Sequence, residues 1–212
     1  MYRVIWVFSV IAIVSVIIVG HVYQPVLPPV MPSHWNSAGK IDGWQSSLMY
    51  IWVMPSISFI IVCVLGIMSL YLRDITIKPY VAYSAGIITL HMLSMHVVIG
   101  VSVVQGAAIH ISDILRLIAG LFICFSFIVR NVPQNHIVGF RLPWTLANTT
   151  VWRATHRVGF WGMLVAGVVI VFVTFLPIEP EYMFFLGMST LLLGVIIPSF
   201  YAYWLAKRTT AQ

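Results

Sequence analysis

The stretch of residues 135–157, NHIVGFRLPWTLANTTVWRATHR, lies between two segments that are apolar enough to cross a membrane. It carries three arginines, two tryptophans and no aspartate or glutamate. Arginine side chains and amphipathic indole rings both find partners in the headgroup zone of a bilayer. The stretch therefore predicts an ordered polar loop at a membrane surface, where a small membrane protein would meet a partner.

The composition of the whole chain is that of an integral membrane protein. Of its 212 residues, 61% are hydrophobic and only 8% are charged, and the mean hydropathy is +1.02. Such a balance is typical of chains that are buried in lipid. The net charge of +6 comes from basic residues that form no soluble domain, so we expect the lipid bilayer to be their partner and expect no direct contact with nucleic acid.

Six segments are long enough to span a hydrocarbon core, which requires about 20 apolar residues. They are residues 4–22, 48–72, 80–104, 114–129, 158–176 and 182–205. No sizeable soluble segment is left between them. We therefore predict an all-α integral membrane protein with six transmembrane helices, which forms a single membrane domain over residues 1–212.

The basic residues also predict the orientation of the chain. If both termini are cytoplasmic, nine Lys and Arg lie inside and two, Lys40 and Arg116, lie outside. Such an excess of positive charge marks cytoplasmic loops. This orientation gives an inner loop over residues 131–157 and an outer loop over residues 24–47. Asp113 and Arg116 are three residues apart near the outer end of the fourth span, and we expect them to pair.

The outer loop contains the sequence LPPVMPSHWNSAGKIDGW, residues 27–44. Its prolines favour an extended backbone, residues 36–39 favour a tight reversal, and its tryptophans are suited to the membrane interface. These features predict a compact cap on the bundle. The positions with a structural or recognition role are Pro32, His34, Trp35, Asn36, Gly39, Asp42 and Trp44.

Polar residues inside the predicted spans are few. His91 and His96 are five residues apart, which turns their side chains roughly 140° away from each other on a helix. We expect hydroxyls or carbonyls of neighbouring helices to satisfy them. The chain contains no H-E-x-x-H, no G-x-S-x-G and no intramembrane pair of acids, so the residues predict no enzyme, no catalytic residue, no cofactor and no metal site. A small-molecule or ion transporter and an intramembrane metal-dependent enzyme stay open as alternatives.

Two motifs carry a resemblance to known families. The pattern LP-x-x-x-P-x-HWN-x-x-G-x-IDGW, within residues 20–60, resembles the module known as domain of unknown function 1648. The pattern NH-x-x-GFR-x-PWTL-x-N-x-x-VW-x-x-THR-x-G, within residues 110–205, resembles the SdpI family (SdpI/YfhL-like) of bacterial membrane proteins. The chain departs from the common family pattern at Leu142, where Thr is usual, and at Ser46 and Ser47, where a Lys is frequent.

The resemblance implies a multi-pass protein of the bacterial cell membrane that confers immunity to a secreted, bacteriocin-like toxic peptide at the outer face. It also implies signalling, in which a cytoplasmic transcriptional repressor is recruited to the inner face. The partner-binding or signalling positions of the inner loop would be Asn135, Arg141, Pro143, Trp144, Thr145, Asn148, Trp152, His156 and Arg157. On a purely structural interpretation, the arginines bind lipid phosphate and the tryptophans are interfacial anchors, and the two interpretations are compatible.

Overall fold

The computed structural model describes residues 2–107 and 109–210. Within these residues, six helices are long and apolar enough to cross a membrane, which confirms the predicted six-helix membrane fold. In chain order the elements are α1 Arg3–Tyr23, a 3-10 turn Gln24–Val26, β1 Val30–Trp35, β2 Ile41–Ser46, α2 Ser47–Tyr71, α3 Lys78–Val104, α4 Ile111–Asn131, α5 Pro143–Ala147, α6 Thr149–Val173 and α7 Pro180–Thr210. The small strand pair is an addition to the predicted all-α architecture.

The two ends of the bundle differ in what they carry. Because the number of spanning helices is even, α1 begins and α7 ends at the same end of the bundle, which we call the termini face. The short helix α5, with five residues, also lies at this end because it follows α4. The opposite end carries the β1–β2 hairpin, and we call it the hairpin face.

The spanning helices pack as two groups of three. Helices α1, α2 and α3 contact one another, as do α4, α6 and α7, and α3 joins the two groups through its contact with α4. Ile13, Val62 and Leu93 form the buried centre of the first group. Leu115 and Ile170 lie in the buried centre of the second. Each family motif therefore lies in its own three-helix group, the first beside α2 and the second beside α6.

Glycines allow α6 and α7 to approach closely. A Cβ atom placed on Gly162 would lie 2.8 Å from the carbonyl oxygen of Gly194, and one placed on Gly194 would lie 3.0 Å from the carbonyl oxygen of Gly162. Small residues at such crossings let two helix backbones pack against each other in a membrane. This contact fixes α7 against α6, the helix that carries the second half of the polar motif.

The fifth spanning helix begins at Thr149, nine residues before the predicted apolar span of residues 158–176. Asn148 caps its start, since the Asn148 side-chain oxygen accepts hydrogen bonds from the N–H groups of Thr150 at 2.8 Å and Val151 at 3.2 Å. The charged residues in the first turns of α6 lower its apolar character, which is why the predicted span begins later. In the structure, Arg153 lies on the exposed side of the helix. Residues 149–157, which the prediction counted in the inner loop, are therefore helical, and Asn148 is one of the two residues, with Thr145, that the sequence offers as a helix start.

The hairpin on the opposite face reverses where the sequence predicted a tight turn. The side-chain oxygen of Asn36 accepts hydrogen bonds from the N–H groups of Ala38 and Lys40, both at 3.0 Å. Gly39 has a φ of 73°, which is a conformation that glycine adopts without the steric cost of a Cβ. This Asx-type turn joins two antiparallel strands and so forms the compact cap that was predicted.

The two tryptophans of the β1–β2 hairpin have different surroundings, and we expect their loss to have different effects. Trp35 packs against the buried cluster that contains Met31 and Tyr50, whereas Trp44 is 58% exposed. Trp35→Ala should lower the free energy of unfolding by about 1 to 3 kcal/mol, and Trp44→Ala should lower it by less than about 0.5 kcal/mol. Thermal unfolding of the two purified variants in the same detergent measures the difference. Equal losses would contradict the packing of the hairpin on α2.

The direction in which the bundle crosses the membrane stays a prediction from the charge pattern. We expect single cysteines at Lys40 and Glu179 on the hairpin face to react with an impermeant thiol reagent in whole cells. Cysteines at Arg73 and Ala147 on the termini face should react only after the cells are opened. The background is a chain in which the native cysteines, Cys63 and Cys124, are replaced by Ala. Labelling of Ala147→Cys in intact cells would reverse the predicted orientation.

Candidate functional site on the termini face

The polar motif folds into a compact structure between the end of α4 and the start of α6. Residues 132–148 form its loop, and two side chains of α6 complete it. We call the hydrogen-bonded core of this structure the signature cluster, and define it by six residues: Asn135, Gly139, Phe140, Thr145, Trp152 and His156. It contains four of the nine inner-loop positions that the sequence singled out.

Trp152 ties the first residue of the loop to α6. Its side chain is only 2% exposed, and its indole N–H donates a hydrogen bond of 3.0 Å to the carbonyl oxygen of Val132. The indole ring also stacks on the His156 ring, with centroids 3.9 Å apart and planes 22° from parallel. The interpretation of Trp152 as an interfacial anchor is therefore wrong, because the ring is enclosed by protein.

His156 joins the middle of the loop to the same helix. Its side chain is 1% exposed. The Nδ1–H group donates to the carbonyl oxygen of Trp152 at 2.8 Å, and the Nε2 atom accepts a hydrogen bond from the Phe140 N–H at 3.1 Å. A ring nitrogen opposite a carbonyl must donate and one opposite an N–H must accept, which defines a neutral imidazole with its proton on Nδ1. A second proton, on Nε2, would break the bond to Phe140.

Gly139 allows the loop to approach the histidine. Its φ of 115° lies in a region that residues with a Cβ rarely adopt. A Cβ atom on Gly139 would also overlap the Nε2 atom of His156, and one on Gly159 would overlap the ring of Phe140. The two glycines of the motif are thus required by close contacts around one buried imidazole.

Asn135 folds the beginning of the loop back on itself. Its side-chain oxygen accepts hydrogen bonds from the N–H groups of Ile137 at 2.7 Å and Val138 at 2.8 Å. Its side-chain amide donates to the carbonyl oxygens of Pro133 at 2.8 Å and Val138 at 3.0 Å. Asn135 therefore satisfies four backbone groups at once and acts within the loop.

Thr145 and Gln134 close the other side of the loop. The Thr145 hydroxyl oxygen accepts from the Leu142 N–H at 2.9 Å and lies 2.6 Å from the carbonyl oxygen of Phe140, to which it donates. The Gln134 amide donates to the carbonyl oxygens of Thr145 and Leu146, both at 2.8 Å. Sequence reasoning missed Gln134, because a single polar residue after a span carries no signal of the two carbonyls that it will meet.

The remaining predicted positions lie around the signature cluster. Arg141 and Pro143 are exposed, and the Arg141 guanidinium donates to the carbonyl oxygen of His136 at 2.9 Å. Trp144 is half-buried and packs edge-on against Tyr203 of α7, with ring centroids 5.3 Å apart. Arg157 is exposed on α6. The motif is therefore divided into a buried part that shapes the loop and an exposed part that faces outward.

The hairpin face brings together some of the other predicted residues. His34 and Asp42 meet across the two strands, with Nδ1 and a carboxylate oxygen 2.5 Å apart. Pro32 is buried at the strand pair, while the side chains of His34, Asp42 and Trp44 are exposed. Within residues 2–107 and 109–210, no three His, Cys, Asp or Glu side chains converge as metal ligands.

The predicted pairing of Asp113 with Arg116 is confirmed, with the Arg116 Nη1 atom 2.9 Å from the carboxylate of Asp113. Arg116 also donates to the hydroxyl of Thr174 at 3.0 Å, so that it links the start of α4 to the end of α6.

The expectation that hydroxyls or carbonyls of neighbouring helices satisfy His96 is wrong in part. Its Nδ1 atom is buried without a hydrogen-bond partner among the described residues, and its ring instead stacks on Tyr50 with centroids 4.2 Å apart.

Comparisons with known proteins agree with both motifs. Residues 131–202 match the SdpI/YfhL protein family, and residues 10–59 match the Domain of unknown function (DUF1648). The chain is 25% identical over 211 residues to the Immunity protein SdpI of Bacillus subtilis (strain 168), an alignment that covers 92% of this chain and 96% of that protein. No solved structure shows a significant match.

The six spanning helices and the near full-length alignment define a multi-pass protein of the bacterial cell membrane. Within that class, the chain is similar to the SdpI immunity proteins, and the resemblance seen in its two motifs is confirmed.

Proposed function

We propose that this protein confers immunity to a secreted toxic peptide on the bacterium that carries it. The observation that carries the proposal is the alignment with the Immunity protein SdpI over 92% of the chain, which includes both faces of the bundle. The six-helix fold supports it, because a membrane-embedded protein is in place where a membrane-active peptide would act.

We assign different roles to the buried and the exposed residues of the termini-face loop. The buried residues of the signature cluster have their polar groups engaged with the loop itself, so we assign them the role of holding its shape. His136, Arg141 and Pro143 are exposed positions of the loop motif. A guanidinium is planar and carries five N–H donors, of which the contact with His136 uses one. We therefore assign partner binding to this exposed edge.

The second part of the proposal is that the termini face signals by recruiting a cytoplasmic transcriptional repressor. It rests on the predicted orientation and on the exposed edge at Arg141.

Contact with the toxic peptide is assigned to the hairpin face, where the side chains of His34, Asp42 and Trp44 are exposed on one small cap. The helices α4 and α6 connect the two faces through the whole bundle.

We further propose that the protein acts by binding and catalyses no reaction. The histidine of the signature cluster has both ring nitrogens committed to the backbone, so it has no free nitrogen to act as a base. The His34 and Asp42 pair lies on the exposed hairpin, with no third residue that could complete a metal site within the described residues.

Substitutions at Arg141 test the assignment of the partner edge. Arg141→Ala should reduce the recruitment of the proposed repressor, and the survival under toxin challenge that depends on this signalling, on the order of tenfold. The reason is that a hydrogen bond from a charged group contributes about 1.5 to 3 kcal/mol. Arg141→Lys should be similarly impaired, because lysine keeps the charge but loses the planar fork. Colony counts and repressor localisation measure the two effects, with membrane abundance determined in parallel.

Arg73 is a matched control, because it is an exposed cation on the same face outside the motif. Arg73→Ala should behave like the parent protein. Full protection together with unchanged repressor recruitment by Arg141→Ala at normal abundance would remove the partner role from the loop. Full protection by Arg141→Lys alone would mean that only the positive charge matters there.

A further inference from the structure

A polar cavity of about 470 Å³ opens beside the signature cluster on the termini face. It lies between the last turn of α4, the first residues of the loop and the first turns of α6. Three arginines line it, Arg130 from α4 and Arg153 and Arg157 from α6, together with polar residues that include Gln134 and Thr149. We call it the arginine cavity.

Within residues 2–107 and 109–210, no acidic side chain neutralises the positive charge of the arginine cavity. No Asp or Glu lines the cavity. The two ion pairs found among the described residues, His34 with Asp42 and Arg116 with Asp113, involve none of its arginines. The guanidinium carbon of Arg130 lies 4.7 Å from the centroid of the Phe160 ring, and such a contact does not remove the positive charge of the guanidinium.

The geometry of α6 concentrates that charge. Arg153 and Arg157 are four residues apart and therefore lie on one side of the helix, where like charges repel each other. Thr149, the first residue of α6, also lines the cavity, so the positive end of the helix dipole adds to the field of the guanidinium groups. A bound anion would relieve the repulsion and accept several hydrogen bonds.

The polar atoms of the two ring side chains that line the arginine cavity, Trp152 and His156, are already hydrogen-bonded. The indole N–H of Trp152 is bonded to Val132, and both ring nitrogens of His156 are bonded to the backbone. The ligand is therefore expected to be held by guanidinium groups rather than by these rings. Guanidinium groups match the oxygens of a phosphate in a two-point contact.

We propose that the arginine cavity binds the phosphate headgroup of an anionic phospholipid. The cavity lies at the ends of two spanning helices, which is the level at which lipid headgroups are found. Basic pockets between helices on one side of a membrane protein bind such headgroups. The concave shape and the volume suit a single small headgroup rather than an extended protein surface. This site goes beyond the proposed immunity function and does not depend on it.

The test is native mass spectrometry of the full-length protein in detergent. The probes are short-chain phosphatidylglycerol, phosphatidylcholine of the same chain length, inorganic phosphate and a hexaglutamate peptide. The variant is Arg153→Gln with Arg157→Gln, which removes two exposed charges and keeps a polar amide at each position. The matched control is Arg141→Gln, an exposed arginine of the same face that does not line the cavity. Thermal unfolding without lipid checks that all three proteins are folded.

The parent protein and Arg141→Gln should retain one phosphatidylglycerol at least tenfold more strongly than phosphatidylcholine, and the double variant should lose this preference. Retention of phosphatidylglycerol by the double variant at the parent level would overturn the proposal. Displacement of the lipid by an equal concentration of inorganic phosphate would overturn the lipid assignment in favour of a free phosphate. Preferential binding of hexaglutamate that requires the two arginines would instead assign the cavity to an acidic protein segment.

Discussion

Replacement of Trp152 by alanine should unfold the termini-face loop and lower the free energy of unfolding by about 3 to 5 kcal/mol. The side chain is 2% exposed, so its removal leaves a cavity that the neighbouring helices can fill only in part. The carbonyl oxygen of Val132 loses its donor, and the His156 ring loses the surface on which it stacks. Thermal unfolding in detergent and the amount of protein in the membrane both report the loss.

Trp161 is the control for this substitution because it lies on the same helix but is 56% exposed on the outside of the bundle. Trp161→Ala should change the free energy of unfolding by less than about 1 kcal/mol. If Trp152→Ala were as mild as Trp161→Ala, the buried position of Trp152 and the account of the loop built on it would be contradicted.

The second large effect is expected from Gly139→Ala. The backbone φ of 115° at Gly139 is strained for any residue with a Cβ, and the new methyl group would overlap the Nε2 atom of His156. The hydrogen bond from the Phe140 N–H to that atom would be lost as the loop moved away. Backbone strain and overpacking together predict a loss of about 2 to 5 kcal/mol, which the melting temperature of the purified variant measures.

Gly120 separates this effect from the general effect of a glycine substitution. It lies inside α4, and a methyl group added there would have no neighbouring atom within 4 Å. Gly120→Ala should therefore leave stability unchanged or raise it by up to about 1 kcal/mol, because alanine favours a helix more than glycine does. Comparable destabilisation by the two substitutions would mean that the contact with His156 is not what requires glycine at position 139.

The spanning helices could be predicted because a bilayer imposes a length and a composition on them. Hydropathy could not place the start of α6, although Asn148 is a residue that favours a helix start. The first turns of α6 carry Arg153, His156 and Arg157, which resemble a loop by composition alone. The histidine is nevertheless buried among loop atoms from residues 139 and 140, and that environment depends on contacts between segments that are distant in the sequence.

The sequence located the candidate loop and part of the residues that shape it. The motif located the termini-face loop, and the cap at Asn148 followed from the local preference of asparagine for the start of a helix. The assignment of roles was harder, because Trp152 is as amphipathic as an interfacial anchor and only the fold shows that its N–H is bonded to Val132. Gln134 and Tyr203 contact the loop from positions that give no sign of this role in the sequence.

The buried histidine holds the loop against α6. The bond from the Phe140 N–H to its Nε2 atom connects the loop to α6, and its Nδ1 bond to the carbonyl oxygen of Trp152 fixes the ring on the helix. The exposed edge at Arg141 is therefore adjacent to a constrained part of the motif. A partner that binds Arg141 would thus meet a preorganised surface, which reduces the entropy cost of binding. This connection is the physical reason why we place partner binding at the edge of the cluster rather than inside it.

The central claim, immunity to a secreted toxic peptide, is tested most directly by deleting the gene in its own bacterium. The deletion strain is exposed to concentrated culture supernatant of the parent strain, and surviving colonies are counted. We predict that survival falls by at least tenfold and that a plasmid copy of the gene restores it, while a copy with Trp152→Ala does not. Equal survival of the deletion strain and the parent, in a supernatant that kills an unrelated sensitive bacterium, would contradict the account.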